Sequence, residues 1–389
     1  MGFLRYLLLL LTLLAFIPSQ AQNEDYEYER SSLCSMMIKH LNNKYGDIIE
    51  EMYLGTPLPE RFNDHNLGVK LISFAESEGD QRKNIEVFIN KVNLGQKMVS
   101  KWFDRDKKTG SFDMELIKSR GFYNASQSMH SLARADIRGI ALLEDAGELL
   151  IKNTYLIVND IAYQSKTGAG VWVKTFASVY TGGLAGNLDE IYKIGGFSVE
   201  ITSYLFKLDW DDDKANIFYT NYYTEDGSKE LDKVEAFMNE RELFSMTYVG
   251  QTFSRSSETK FSSTKDPKKL LIKVCTRTLD KNIAQLQHEH PFFRIKAPLI
   301  SVDPLSAHVG LKEDITEDSR FEVLERVIDK DGKLSYKHVG VIKPEKGKIW
   351  DNRYMAEEDE GEDSNLHYTT FRKVSGGDFY PGMLIRETE

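Results

Sequence analysis

Thr154-Tyr155-Leu156-Ile157-Val158 decides how this chain divides, because a β-branched and aromatic run without helical spacing reads as a buried strand. Up to Asn153 the apolar spacing is helical. Leu33, Met36, Met37, His40, Leu41 and Tyr45 recur every three or four residues behind Ser31-Ser32, which predicts a helix over Ser31 to Met52. Thr56-Pro57-Leu58-Pro59 ends it, and a second helix is expected from Gln81 to Phe103, with Ile85, Phe88, Ile89, Val92, Val99 and Trp102 on one stripe. Met114 to Lys118 and Ala125 to Ile151 continue the helical pattern, so 22–152 is expected to be a helical region.

Beyond Val158 the period changes. Phe197 to Trp210 alternates, with Val199, Ile201, Ser203 and Leu205 against Glu200, Thr202, Tyr204 and Phe206, as a half-exposed strand would. Between these strands an insertion, 167–196, keeps helical spacing at Val173, Phe176, Ala177, Tyr180 and Leu184 and is expected to form two short amphipathic helices broken at Gly182-Gly183. A strand over Leu243 to Phe253 and a helix over Pro267 to Gln287 complete an α/β domain at 153–296. From Ala297 the pattern is β-rich. Phe321 to Ile328 and Leu334 to Ile342 flank Asp331-Gly332, whose tolerance of positive φ suits a hairpin. Lys348 to Tyr354, Thr369 to Val374 and Met383 to Arg386 are three more strands, and a small β-barrel over 297–389 removes their edges. The expected class is α+β: a helical N-terminal region, a mixed α/β domain with a helical insertion, and a C-terminal barrel.

Composition narrows the function. Met1 to Ala21 has the layout of a signal peptide, with Arg5, an apolar run Leu7 to Ile17, and Ser19-Gln20-Ala21 as cleavage site, so the mature chain is expected in the periplasm or secreted. The net charge of −10 speaks against nucleic acid as a partner. No cysteine directly follows the cleavage site, where Gln22 stands, so no lipid anchor is expected. Cys34 and Cys275 are either one long-range disulfide, worth at most about 5 kcal/mol, or two separate buried thiols.

His308-Val309-Gly310-Leu311-Lys312-Glu313, Arg320-Phe321-Glu322-Val323 and Lys337-His338-Val339-Gly340-Val341-Ile342 resemble the C-terminal small barrel of the flagellar assembly protein FlgT, which implies a Src-homology-3-like barrel. The strand-insertion-strand layout ending at Ile201 to Trp210 resembles the periplasmic domain of CsgG-type secretion lipoproteins, although their lipid-attachment cysteine is missing here. Lys348 to Tyr354 and Gly376 to Met383 make the chain similar to a family of uncharacterised exported proteins of Bacteroides-type bacteria. These resemblances imply architecture and no catalytic residue.

Catalytic and metal patterns are each incomplete. His308-Val309-Gly310 and His338-Val339-Gly340 suit an NlpC-type cysteine peptidase, but Leu33-Cys34-Ser35-Met36 is not its nucleophile motif. Gly168-Ala169-Gly170 has Val173 in place of the third glycine of a dinucleotide loop, and Ser198 has Glu200 where a nucleophile elbow needs glycine. His288-Glu289-His290 lacks a third zinc ligand nearby. Asp209, Asp211, Asp212 and Asp213 lack the glycine and distal Glu of a calcium loop.

No cofactor or metal is expected. The residues expected to meet partners are Trp172, Phe176, Tyr180 and Leu184 of the insertion and Glu357, Glu358, Asp359 and Glu360 of an acidic loop. The reading is a non-catalytic exported assembly, scaffold or envelope-binding protein, whose partner is an envelope protein or cell-wall component and which could touch a membrane peripherally. Two alternatives stay open: a cell-wall or glycan hydrolase, and an outer-membrane secretion-pore component.

Overall fold

The computed structural model describes residues 31–40, 46–73, 80–124, 147–166, 172–174, 197–258, 266–294, 296–328, 334–358 and 366–388. The signal peptide, most of the helix expected from Ala125, and Phe176, Tyr180, Leu184, Asp359 and Glu360 lie outside them.

Ser31 to Ile38 is a strand, β1, and not the start of a helix; helix α1 begins only at Gly46 and runs to Gly55. The cause is burial on both sides. Leu33 and Met37 pack on one face of the sheet and Cys34, Met36 and Ile38 on the other, each 3% exposed or less. A strand covered on both faces carries apolar residues continuously, and such a run imitates helical spacing over a few residues. Ser32, placed by its spacing at the start of the expected helix, donates its N–H to Asn153 O at 3.0 Å.

β1 pairs in parallel with β2 (Phe62–Asp64), β3 (Leu71–Ile72) and β4 (Thr154–Lys166). On its other side β4 runs antiparallel to β6 (Phe197–Leu208), which pairs with β7 (Met246–Glu258), giving the order β2-β1-β4-β6-β7. The sheet therefore crosses the boundary expected at residue 152, and 22–152 is not a separate helical region. β6 is buried on both faces where a half-exposed strand was expected, because it lies between β4 and β7 under helices on each side. Within the insertion, Trp172–Lys174 is a strand, β5, antiparallel to Gln164–Lys166, which overturns the helix expected through Val173.

One face of the sheet is covered by α2 (Gln81–Lys91), α3 (Leu94–Trp102), α4 (Glu115–Asn124), α5 (Asp212–Asn221) and α6 (Leu231–Asn239). The single helix expected over 81–103 breaks at Asn93, which takes φ 51° and donates Nδ2–H to Glu240 O at 2.8 Å. Just past the break, Gly95 lies so close to the Phe244 carbonyl that a Cβ would sit 2.2 Å from its oxygen. Phe103, Phe112, Trp210, Phe218, Phe237 and Phe244 fill this layer, with Phe103 and Phe218 ring centres 4.4 Å apart. The other face is covered by α1 and by α7 (Pro267–Glu289), whose Leu270, Leu271, Val274 and Cys275 meet Ile161, Val199 and Ile201. Asp266 caps α7 by accepting from Lys268 N at 2.9 Å, and Pro267 begins it, both expected of a helix start. The result is a three-layer α/β/α unit.

The C-terminal strands are β8 (Ala297–Val302), β9 (Leu305–Ala307), β10 (Arg320–Ile328), β11 (Leu334–Pro344), β12 (Thr369–Gly376) and β13 (Leu384–Thr388). Their pairings run β10-β11-β12-β9-β8-β13 and return to β10, around Leu299, Phe321, Val323, Ile342, Phe371 and Ile385. Lys348 to Tyr354 is not the strand expected. Only Trp350 bridges, to Gly310, and the segment instead crosses the rim of the ring toward α7.

Candidate functional site

The ring meets the α/β/α unit along α7, and the contact is charged. At the middle of this contact is a 3-10 turn of the ring, Leu311–Glu313, held by Glu313 and by Asn352. Glu313 Oε2 accepts Gly310 N–H and Asn352 Nδ2–H, each at 2.7 Å, while Asn352 Oδ1 accepts Lys312 N–H at 2.8 Å. The remaining Glu313 oxygen accepts from Nη1 of Arg61, which lies just before β2 and is 4% exposed. Three backbone segments distant in sequence are thus tied at one carboxylate.

Beside this tie, α7 and the turn enclose a cleft of about 330 Å³. Arg277, Asp280 and Lys281 of α7 line it with Lys312 and Asp314 of the turn, Arg353, and Ser256 and Ser257 at the end of β7. Four of these side chains are cationic. Asp280 is 8% exposed; its Oδ1 lies 3.6 Å from Lys312 Nζ, and its Oδ2 accepts no hydrogen bond among the described residues. Burial raises the Asp280 carboxyl above its ordinary range, with Glu313 adding to the shift while Lys312 and Arg61 oppose it. Arg277 donates Nε–H to Tyr354 O at 2.9 Å, and Arg353 forks onto Asp351, with Nε–H to Oδ1 at 2.8 Å. Burial pushes the Asp351 carboxyl up, but the bonds from Arg353 outweigh it and the net shift is downward.

No protein-family model and no curated protein matches the chain.

The structure disperses the residues singled out from the sequence. Cys34 faces the α2–α3 layer and Cys275 faces the opposite side of the sheet from α7, so the alternative of a disulfide between them is overturned; both thiols are free. Burial pushes each thiol up to about 12, the reverse of what a cysteine nucleophile needs. His308 lies beside the Trp350 ring, and His338 is exposed on β11. His288 pairs with Glu387 at 3.1 Å while the His290 ring lies tilted beside that of Phe292, so the two imidazoles serve different neighbours. Asp211 caps α5 through Lys214 N at 2.8 Å, Asp209 pairs with Lys214 Nζ at 2.5 Å, and Asp212 pairs with Lys152. Three of the four aspartates thus cap a helix or pair with lysines, and Asp213 is exposed in the first turn of α5. Ser198 is an ordinary strand residue, donating to Ser256 O at 3.3 Å. Glu357 and Glu358 are exposed in a short 3-10 turn, and Trp172 belongs to β5.

Arg61 and Asp280 were not singled out from the sequence, and Lys312 and Glu313 entered only as part of the run resembling the FlgT barrel. The one signal available was Asp280 beside the apolar stripe of α7, next to Leu279 and three residues before Ile283. The other members come together only through the docking of the ring.

Proposed function

We propose that the protein is an exported, non-catalytic envelope-binding component, and that the junction cleft takes a carboxylate-bearing saccharide of the cell wall. The carrying observation is a cleft lined by Arg277, Lys281, Lys312 and Arg353 in a chain whose net charge is −10. Such a lining attracts an acidic group by focusing positive potential between low-dielectric walls. The buried Asp280 oxygen that has no donor among the described residues is a further acceptor beside the cleft for a ligand hydroxyl or ammonium that reaches it, so a sugar acid fits better than a simple anion. On this reading the C-terminal ring is a small barrel of Src-homology-3-like type, in keeping with the resemblance to the FlgT barrel, and it forms one wall of the binding site. Among the described residues no helix is long and apolar enough to cross a membrane.

Calorimetry with a soluble muramyl peptide tests this. Binding is expected to weaken as salt rises, and Lys281→Glu, on the exposed side of α7, is expected to reduce it about tenfold or more. An unchanged affinity in that variant, or no heat at millimolar ligand, refutes the proposal. The hydrolase alternative has one observation in its favour, the raised carboxyl of Asp280, which suits a general acid. Release of reducing ends that disappears in Asp280→Asn would replace binding by hydrolysis.

A further inference from the structure

A second cationic concavity lies on the other side of the sheet. Between the β1–β3 edge and helices α2 and α3 is a groove of about 680 Å³, within the range of roughly 300–1,000 Å³ for small-molecule sites. Its floor is apolar: Met36, Ile72 and Leu94 lie beneath it at 3% exposure or less, while half-buried Leu67 of the loop between β2 and β3, Phe88 of α2 and Val92 at the break between the helices present the surface. Val69 stands 49% exposed at the mouth. The rim is basic, with Lys97 and Lys101 one turn apart on α3 and Arg105 and Lys107 in the turn that follows.

Among the described residues this rim is uncompensated. Lys97, Lys101 and Lys107 pair with no carboxylate among the described residues, and Asp104 is the only acid lining the groove. Like charges four residues apart on a helix repel. Arg105 is held over the rings of Phe112 and Phe237, 5.8 and 5.4 Å from their centres, so its position at the rim is set by packing. A polar anion would satisfy the rim and leave the floor wetted, while an apolar chain would cover the floor and leave the rim repelling itself. One molecule with both parts satisfies both.

We infer that the groove binds a single-chain anionic amphiphile, with its acyl chain along Leu67, Val69, Phe88 and Val92 and its acidic head among Lys97, Lys101 and Lys107. The site lies on the opposite face of the sheet from α7, so its occupation is separable from that of the junction cleft. The head group is a carboxylate or a phosphate, and the ligand is taken as a monomer and not as part of a bilayer.

Titration calorimetry of the full chain with hexanoate, octanoate, decanoate and dodecanoate below their micelle concentrations tests the inference. Affinity is expected to rise about fourfold for each buried methylene, therefore more than tenfold per step of two. Decanol is expected to bind at least about tenfold less tightly than decanoate, and the double variant Lys97→Glu/Lys101→Glu to lose a similar factor for decanoate while keeping its melting temperature. Because a charge reversal could disturb α3, Val69→Glu at the exposed mouth serves as a second variant with the same expected loss. Absence of chain-length dependence, equal binding of decanol and decanoate, or binding to phosphatidylglycerol vesicles without binding of the monomers would each overturn it.

Discussion

Replacing Glu313 by Ala should loosen the whole junction. The side chain of Arg61 is 4% exposed and that of Glu313 16%, so the variant strands a buried guanidinium whose Nε and Nη2 already have no acceptor among the described residues. Breaking a buried pair from one side costs about 3–5 kcal/mol. The Gly310 N–H and Asn352 Nδ2–H lose their acceptor as well, but these losses overlap, and about 3 kcal/mol is the working lower value. Urea unfolding followed by far-UV circular dichroism measures it, and a double variant controls it. Arg61→Met/Glu313→Leu removes both charges and fills a similar volume, so it should recover most of the loss. A cost below about 1 kcal/mol for Glu313→Ala would place the pair with ordinary surface ion pairs and refute the tie between ring and sheet.

Two further outcomes follow from buried titratable groups. His65 is fully buried, donates Nε2–H to Met98 O at 3.0 Å and accepts from Arg120 Nη1 at 2.9 Å through Nδ1; burial first and the Arg120 charge second lower it to about 3. Its folded value lies below the ordinary 6.5, so the unfolded chain binds the proton first and stability is lost as pH falls from 6.5 toward 3, on the order of 3 kcal/mol by pH 4. A His65→Gln variant, weaker at neutral pH, should show a flatter decline; an identical slope would discard the neutral buried imidazole. Ellman's reagent should find no reactive thiol in the native protein and both Cys34 and Cys275 after denaturation without reductant.

Local pattern revealed elements whose environment is one-sided or whose ends are chemically marked. α7 has Asp266 and Pro267 at its start, the β10–β11 hairpin carries Asp-Gly between alternating runs, and β4 begins with a run that fits no helix. Pattern failed where burial is two-sided. Ser31 to Ile38 imitated a helix because both of its faces are covered, and β6 passed for half-exposed because Glu200 and Thr202 placed polar residues on one face of a strand that is buried on both, with a further polar residue, Ser203, on the other. Ser203 donates to Asn159 Oδ1 at 2.6 Å and accepts from Asn282 Nδ2 at 2.8 Å, so its polarity serves the interior and not solvent. The junction site was illegible for a different reason: Arg61 and Glu313 lie far apart along the chain, and no spacing rule joins them.

The place of β1 in the sheet also governs how the chain must come together. β1 holds the earliest described residues, yet its longest partner, β4, starts at Thr154, opposite Ser32. A polypeptide emerging from its amino end therefore carries an apolar ribbon with an open margin until more than a hundred further residues have appeared. Closure over such a span is slow, and the exposed margin invites pairing with other chains. Productive maturation then depends on shielding that ribbon in the interval, a demand set by strand order alone.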